Sequence, residues 1–355
     1  MTLTEDIINQ TTSSLWHKSD LYSDTVFLSR TVLKRNHAEL PFREHMGDDN
    51  RLRLINDVLR IKSFTHLPEK FQFAESSTVE RGQISLLEES EILNHGESPD
   101  AFLPGNEYGL SVVINGNSHI SINVVSGNSD FVSALSRSES VDKTVNEHNP
   151  YAFSDRLGFL FPNPAECGTG LDLTAIMHIP SLATLKCYPE IKRICDDMRL
   201  SLAAYPDEYE AETPLFCKIV SRNEPNNTEI ESARKLQSAI SMITDLERDA
   251  REEYYHEFKP HIDDAVWRSL GILRHSRMIG YREAFEYLSH IRLGILLSII
   301  KGFSLTDLNG LFFKIRRSHL HLYSLEPITT QLEADQARAS LLRSYFQGVT
   351  SVQSD

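Results

Sequence analysis

The chain has 355 residues, 40% hydrophobic and 24% charged, with a formal net charge of −14. That length buries a core unaided, and Cys167, Cys187, Cys195 and Cys217 form no CxxC pair, which excludes a zinc or disulfide framework and suits reduced thiols in a cytoplasm. The acidic balance repels nucleic acid and anionic lipid, so neither is an expected partner, and any basic site has to be argued from particular residues.

In chain order, Met1 to Asp6 lacks a basic stretch followed by an apolar one, so no signal peptide is expected there. Residues 1–24 are polar and read as a loosely held arm. Thr25 to Leu28 is the first strand candidate, and residues 50–66 carry Leu54, Ile55, Val58 and Ile61 on one helical face. Leu110 to Ile114, the turn signal Asn115-Gly116 and the alternating His119 to Val125 predict a hairpin. A turn-rich stretch from Phe161 to Gly170 precedes the apolar run Leu171 to Ile179. Residues 203–214 read as an acidic turn, and Leu215 to Val220 as a strand.

The pattern changes at Asn226. Thr228 and Glu231 form a capping box, and Ile230, Ala233, Leu236, Ile240, Ile243 and Leu246 continue as an amphipathic helix. Helical periodicity persists to about residue 347, punctuated by Pro260 and Pro327. The run Leu293 to Ile300 is too short to span a bilayer. The expected fold class is α+β, with a domain over residues 25–250 and an all-α domain over residues 251–355.

Three features suggest chemistry on their own. Gly168-Thr169-Gly170 is either a phosphate cradle or a plain tight turn, and a lone GxG favours the turn. His319 and His321 do not share a helical face, so a core or surface pair is the better reading than a metal site. Asp207 and Glu210 lie in an acidic loop that either supplies a base or is merely solvated.

A more specific pattern is carried by longer stretches. Phe159-Leu160, Pro164, Gly168 to Leu171 and Met177 to Leu182 match the run YLTxCPTNxGTGLRASVMLHLPAL. Val26 to Arg30, with Leu33, Arg35 and Asn36, is similar to VVLSSRIRLARN, and Arg268 to Leu273 and Leu288 to Ile295 to RSYGIL and LSLVRLGI. From about residue 25 to 345 the chain resembles the bacterial protein-arginine kinases (McsB type) of the ATP:guanido phosphotransferase family. The resemblance implies a guanido-phosphotransferase-like catalytic domain, an antiparallel sheet flanked by helices, followed by a helical domain for dimerisation and phosphoarginine docking.

Transfer of a γ-phosphoryl group to a guanidinium needs arginines and magnesium around the phosphates and a carboxylate on the acceptor. Set against the family, this chain keeps Ser29 and Arg30, vestiges of the nucleotide site. The resemblance places substitutions at the other nucleotide positions: Val32, Glu91, Ser121, Asp172 and Leu202. Gly116 and Asn117 replace two glutamates of the acceptor loop, while Asp207 and Glu210 are candidate carboxylate remnants. Removing one preorganised donor costs roughly 10²–10³ in rate, and two full losses take a turnover of about 10 s⁻¹ to roughly 10⁻³ s⁻¹.

The expectation is a pseudokinase of the arginine-phosphorylation and protein quality-control system. No cofactor is expected. Mg-ATP belongs to the alternative, a live protein-arginine kinase with a rewired site that enlists Arg35 or Arg222. Asp335 and Arg338 sit at the RDxxRA phosphoarginine motif, whose leading arginine is Ala334 here. They are either a phosphoarginine-binding pair or an ordinary i,i+3 surface pair. The resemblance further implies a homodimer and partners among a zinc-finger activator protein, a Clp-type protease and phosphoarginine-bearing proteins.

Overall fold

A computed structural model of the chain describes residues 23–60, 71–75, 81–105, 109–206, 214–221, 227–324 and 327–347. Strand β1 (Val26–Arg35) is followed by helix α1 (Asp48–Leu59), β2 (Ala74–Glu75) and α2 (Arg81–Glu89). Next come β3 (Ala101–Pro104), β4 (Leu110–Ile114), β5 (Ile120–Ser126) and α3 (Phe131–Asn146). A small hairpin, β6 (Phe153–Ser154) and β7 (Gly158–Phe159), precedes β8 (Leu171–His178). Helices α4 (Pro180–Thr184) and α5 (Tyr188–Asp197) lead to β9 (Leu200–Ala204) and β10 (Phe216–Ser221). The remainder is helical: α6 (Glu229–His275), α7 (Tyr281–Leu296), α8 (Leu305–Lys314), α9 (Arg317–Leu320) and α10 (Gln331–Gln347).

The fold is α+β. An eight-stranded antiparallel sheet runs in the order β2-β3-β4-β5-β1-β8-β10-β9. Strand β1 lies between β5 and β8 and is buried along almost its whole length, so Val, Phe and Leu alternate with residues that must find partners inside the protein. The predicted hairpin forms, with Asn115 left-handed at φ 54°. Its loop is longer than a two-residue turn, because the Asn115 N–H donates to His119 O at 2.8 Å.

The capping box forms as expected. Glu231 N donates to Thr228 Oγ1 at 3.3 Å and Thr228 N to Glu231 Oε2 at 2.8 Å, which supplies donors at the start of α6 with acceptors. That helix runs on past residue 250 and kinks at Phe258 (φ −117°, ψ 21°), two residues before Pro260, which has no N–H for the helical ladder. The helix predicted over residues 50–66 is seen as Asp48–Leu59, and its last part, with Ile61, lies outside the described residues, as do residues 1–22 of the arm.

One sheet face packs on α3 and the first half of α6 through Leu33, Ile122, Leu173, Ala175, Ile219, Leu236 and Ile240. A second core joins the sheet to the C-terminal helices. Phe27 stacks on Phe313 with centroids 5.3 Å apart, and Phe216 lies 5.0 Å from Phe285. Beside this aromatic cluster the buried Arg292 donates to His178 Nδ1 (2.8 Å), Asn309 Oδ1 (3.1 Å), Asp24 O (2.7 Å) and Ser23 O (3.1 Å). Burial and Arg292 hold His178 well below its ordinary pKa, so it is neutral and accepts.

Candidate functional site

Residues opposite one another in antiparallel strands share a face. In β1, Lys34 pairs with Ser121, Val32 with both Asn123 and Asp172, and Arg30 with Val125 and Thr174. Arg30, Ser121 and Asp172 therefore converge on the face away from α3, together with Lys34 and Asn123. Ser29 does not join them. Its neighbour Arg30 points the other way, and the Ser29 hydroxyl donates to Ser126 O at 3.4 Å. Leu202 is also on the wrong face. It lies in β9, not in a loop, opposite the core residue Ile219, and packs against the helix-side core. Of the acidic turn read over residues 203–214, Ala203 and Ala204 belong to β9 instead, and residues 207–213 lie outside the described residues.

Arg30 is 8% exposed, and the protein itself takes both of its Nη groups, while its buried Nε has no partner among the described residues. Nη1 donates to Asn94 Oδ1 at 2.8 Å, and Nη2 to Ile92 O at 3.1 Å and Asn123 Oδ1 at 3.2 Å. Burial pulls its pKa down, opposed by the charges of Glu91, Glu97 and Asp172. Asp172 reaches across the face to Lys34 Nζ at 2.8 Å. Glu91 sits just after α2 in a left-handed conformation, φ 58°, and bonds to the Tyr205 hydroxyl. The face thus holds two cations, Arg30 and Lys34, with Asp172 paired to Lys34 and Glu91 and Glu97 near Arg30.

The segment that covers Arg30 is fastened by Glu97, which sequence reasoning missed. Its buried carboxylate accepts from Asn94 N and Nδ2 through Oε2, both at 2.9 Å, and from Asn117 N through Oε1 at 2.9 Å. A Cβ on Gly116 would stand 2.1 Å from Glu97 Oε1. The only sequence signal was Gly116 itself, where the family carries a glutamate; a side chain there would exclude Glu97.

Other expected residues have structural roles. Arg35 is buried and donates to Thr169 O, Asp142 Oδ2 and Glu229 Oε1 at 2.9–3.1 Å, so it holds the sheet to α3 and α6. Thr169 O and Gly170 O both accept from β1, and the Gly168–Gly170 loop is a turn knitted to that strand. His119 is buried, accepts from His37 N at 3.0 Å, and is pushed by burial to a pKa of about 4. His319 is buried against the Ser90 hydroxyl at 3.1 Å, while His321 is exposed. Asp207, Glu210 and Arg222 lie outside the described residues. Among the described residues no group of three or more His, Cys, Asp or Glu could hold a metal ion.

A concavity lies among α2, α7, α9 and α10. It has a volume of about 320 Å³ and is lined by Glu89, Tyr281, Arg316, Arg317, Gln331 and Arg338, with Pro206 at one wall. Arg338 is 2% exposed, so it is no surface residue. It donates to Ile315 O and Ile279 O at 2.8 Å and to Asp335 Oδ1 at 2.6 Å. Asp335 Oδ1 also accepts from Gln331 Nε2 at 2.8 Å, and Asp335 is not part of the lining. Asp335 and Arg338 are therefore bonded to each other, with the aspartate turned to its own arginine.

Family comparisons agree with this geometry. The model for the ATP:guanido phosphotransferase C-terminal catalytic domain matches residues 53–250, and that for the protein-arginine kinase McsB C-terminal domain matches residues 259–355. The chain belongs to the bacterial protein-arginine kinase (McsB-type) family of ATP:guanido phosphotransferases. It is 30% identical to the protein-arginine kinase of Bacillus velezensis over 328 residues, 90% of each chain. It is 25% identical to that of Symbiobacterium thermophilum over 350 residues, 96% of this chain and 98% of the relative.

Solved structures share the fold. The duplicated taurocyamine kinase of Schistosoma mansoni, with bound transition-state analogue components, superposes at a TM-score of 0.53 and 15% identity, covering 66% of this chain and 34% of that one. Lombricine kinase gives a TM-score of 0.51 and 17% identity, covering 64% and 67%. No helix among the described residues is long and apolar enough to cross a membrane.

Proposed function

We propose that this family member is a pseudokinase that acts by binding within arginine phosphorylation and protein quality control. The observation that carries the reading is Arg30, whose guanidinium is buried and hydrogen-bonded to Asn94, Ile92 and Asn123. A triphosphate would have to displace those bonds and meet Glu91, Glu97 and Asp172 at close range, where carboxylates repel rather than stabilise phosphoryl oxygens. The residues on this face do not suit Mg-ATP.

The scaffold supports a binding role. The sheet, the aromatic interface and the C-terminal helices are well packed, and several guanidinium groups face the concavity beside Arg338. The reading extends to a cytoplasmic homodimer whose partners are phosphoarginine-bearing proteins, a zinc-finger activator or a Clp-type protease. The alternative, a live kinase, is favoured by the 30% identity to a protein-arginine kinase across 90% of the chain. Incubation with Mg-ATP and an arginine-rich protein, read by mass spectrometry under non-acidic conditions, decides between them. The pseudokinase yields no phosphoarginine, whereas ATP-dependent product establishes the live kinase.

A further inference from the structure

The N-terminal end of β1 is held by three arginines from two helices. Arg248 and Arg251 of α6 both bind the Asp24 carboxylate, Arg248 through Nε and Nη2 at 3.0 and 2.8 Å and Arg251 through Nη1 at 3.1 Å. Arg292 of α7 donates to the carbonyls of Ser23 and Asp24. Ser23 in turn orders the start of the strand, its hydroxyl accepting from Thr25 N at 3.2 Å and Val26 N at 3.1 Å.

One turn before Arg251 on the same helix, Glu247 is fully buried. Its carboxyl group accepts from Ser181 N at 3.2 Å and Leu182 N at 3.0 Å, two donors that the start of α4 leaves without helical partners. Arg251 Nε stands 3.9 Å from Glu247 Oε1, close enough for an ion pair but beyond a hydrogen bond. Arg251 is buried, and its Nε and Nη2 have no hydrogen-bond partner among the described residues. One guanidinium thus stands between two carboxyl groups and is bonded to only one of them.

The two carboxyl groups differ in charge near neutrality. Burial pushes Glu247 up to about 7, against the pull of the α4 N–H groups and of Arg251. Burial also raises Asp24, but Arg248 and Arg251 outweigh it and hold that carboxylate below its ordinary range. The other groups around the pair keep one state: Arg248 and Arg292 are cations, and burial leaves Cys217 of β10 and His178 of β8 neutral. Glu247 is the member that changes charge.

We infer that Glu247 and Asp24 compete for Arg251, forming a pH-responsive clamp that holds the start of β1 when Glu247 is protonated and slackens when it is ionised. A buried carboxylate needs a charge-assisted partner, and the unspent Nε and Nη2 of Arg251 are the nearest donors. Turning them to Glu247 draws Nη1 away from Asp24. The arrangement seen, with Arg251 on Asp24, is the clamped one. Because the proton on Glu247 favours it, clamping is fully present below the ordinary glutamate value of 4.5 and is lost as pH rises to about 7. The device lies outside the Arg30 face and stands whether or not the chain transfers phosphate.

The test is amide hydrogen exchange at Thr25 and Val26 in the full chain between pH 5 and 8, corrected for the intrinsic rate. Wild-type protection falls by up to about tenfold per pH unit as far as pH 7 and then levels. Protonation of His119 weakens the fold in acid, the opposite direction, and cannot mimic this slope. Glu247→Gln, whose carboxamide stands in for the protonated form, keeps high protection throughout. Asp24→Asn, which removes the competitor, shows low protection throughout. Wild-type protection that does not change with pH, or a wild-type slope retained in Glu247→Gln, overturns the inference. If the buried glutamine prevents folding, Asp24→Asn decides alone, and a slope retained there overturns it equally.

Discussion

Arg30 Nη1 donates to Asn94 Oδ1 at 2.8 Å, and Asn94 is held in place by the buried carboxylate of Glu97. The residue that a phosphotransferase would turn toward nucleotide is here part of the protein's own interior. The contact depends on Gly116, since any Cβ there falls on Glu97.

Gly116→Ala is therefore expected to destabilise the fold by about 1–3 kcal/mol, the usual cost of forcing a buried group to move. Urea denaturation measures it, and Glu97→Ala in the same chain should absorb most of the clash. An unchanged midpoint for Gly116→Ala would show that Glu97 is not seated as described.

Acid should weaken the fold through His119. Burial lowers its pKa from 6.5 to about 4, reinforced by His37 and opposed by Glu44 and a hydrogen bond with the Pro41 backbone. Between those values the unfolded chain binds the proton more tightly. The contribution is thus fully present above pH 6.5 and is lost as pH falls toward 4, at up to about 1.4 kcal/mol per pH unit. Melting temperatures over that range should fall less steeply for His119→Gln than for the wild type, and parallel curves would contradict the assignment.

Arg292 joins the helical region to the sheet through His178, Asn309 and two carbonyls near the N-terminal arm. Arg292→Met leaves several buried acceptors without donors and should cost about 3 kcal/mol or more. A denaturation midpoint within error of the wild type would show that these bonds have replacements.

Arg338→Ala should also destabilise, by about 2–3 kcal/mol, because Ile315 O and Ile279 O lose their donor. Loss of ligand binding in that variant would be uninformative unless its melting temperature is reported beside it. Retained stability would place Arg338 in the cavity alone and not in the packing.

Local signals made much of the fold legible. The Asn115 turn, the Thr228–Glu231 box and the apolar run of β8 are each short in sequence and formed as read. What escaped the sequence depends on register and on distant partners. Ser29 and Leu202 sit next to strand positions that face the cleft, and only the pleat decides which side each takes. Glu97 has no meaning until its segment folds over Asn117. Arg316 and Arg317 look like solvated charges until α10 brings Arg338 beside them. The spacing of Asp335 and Arg338 was visible, but their burial was not.

The most direct test of the central claim is equilibrium binding of Mg-ATP to the purified full chain by calorimetry. With Arg30 occupied by Asn94, Ile92 and Asn123, the account predicts no saturable heat at nucleotide concentrations up to about 1 mM, equivalent to less than about 4 kcal/mol of binding free energy. Saturable binding well below that concentration, abolished by Arg30→Ala, would contradict it.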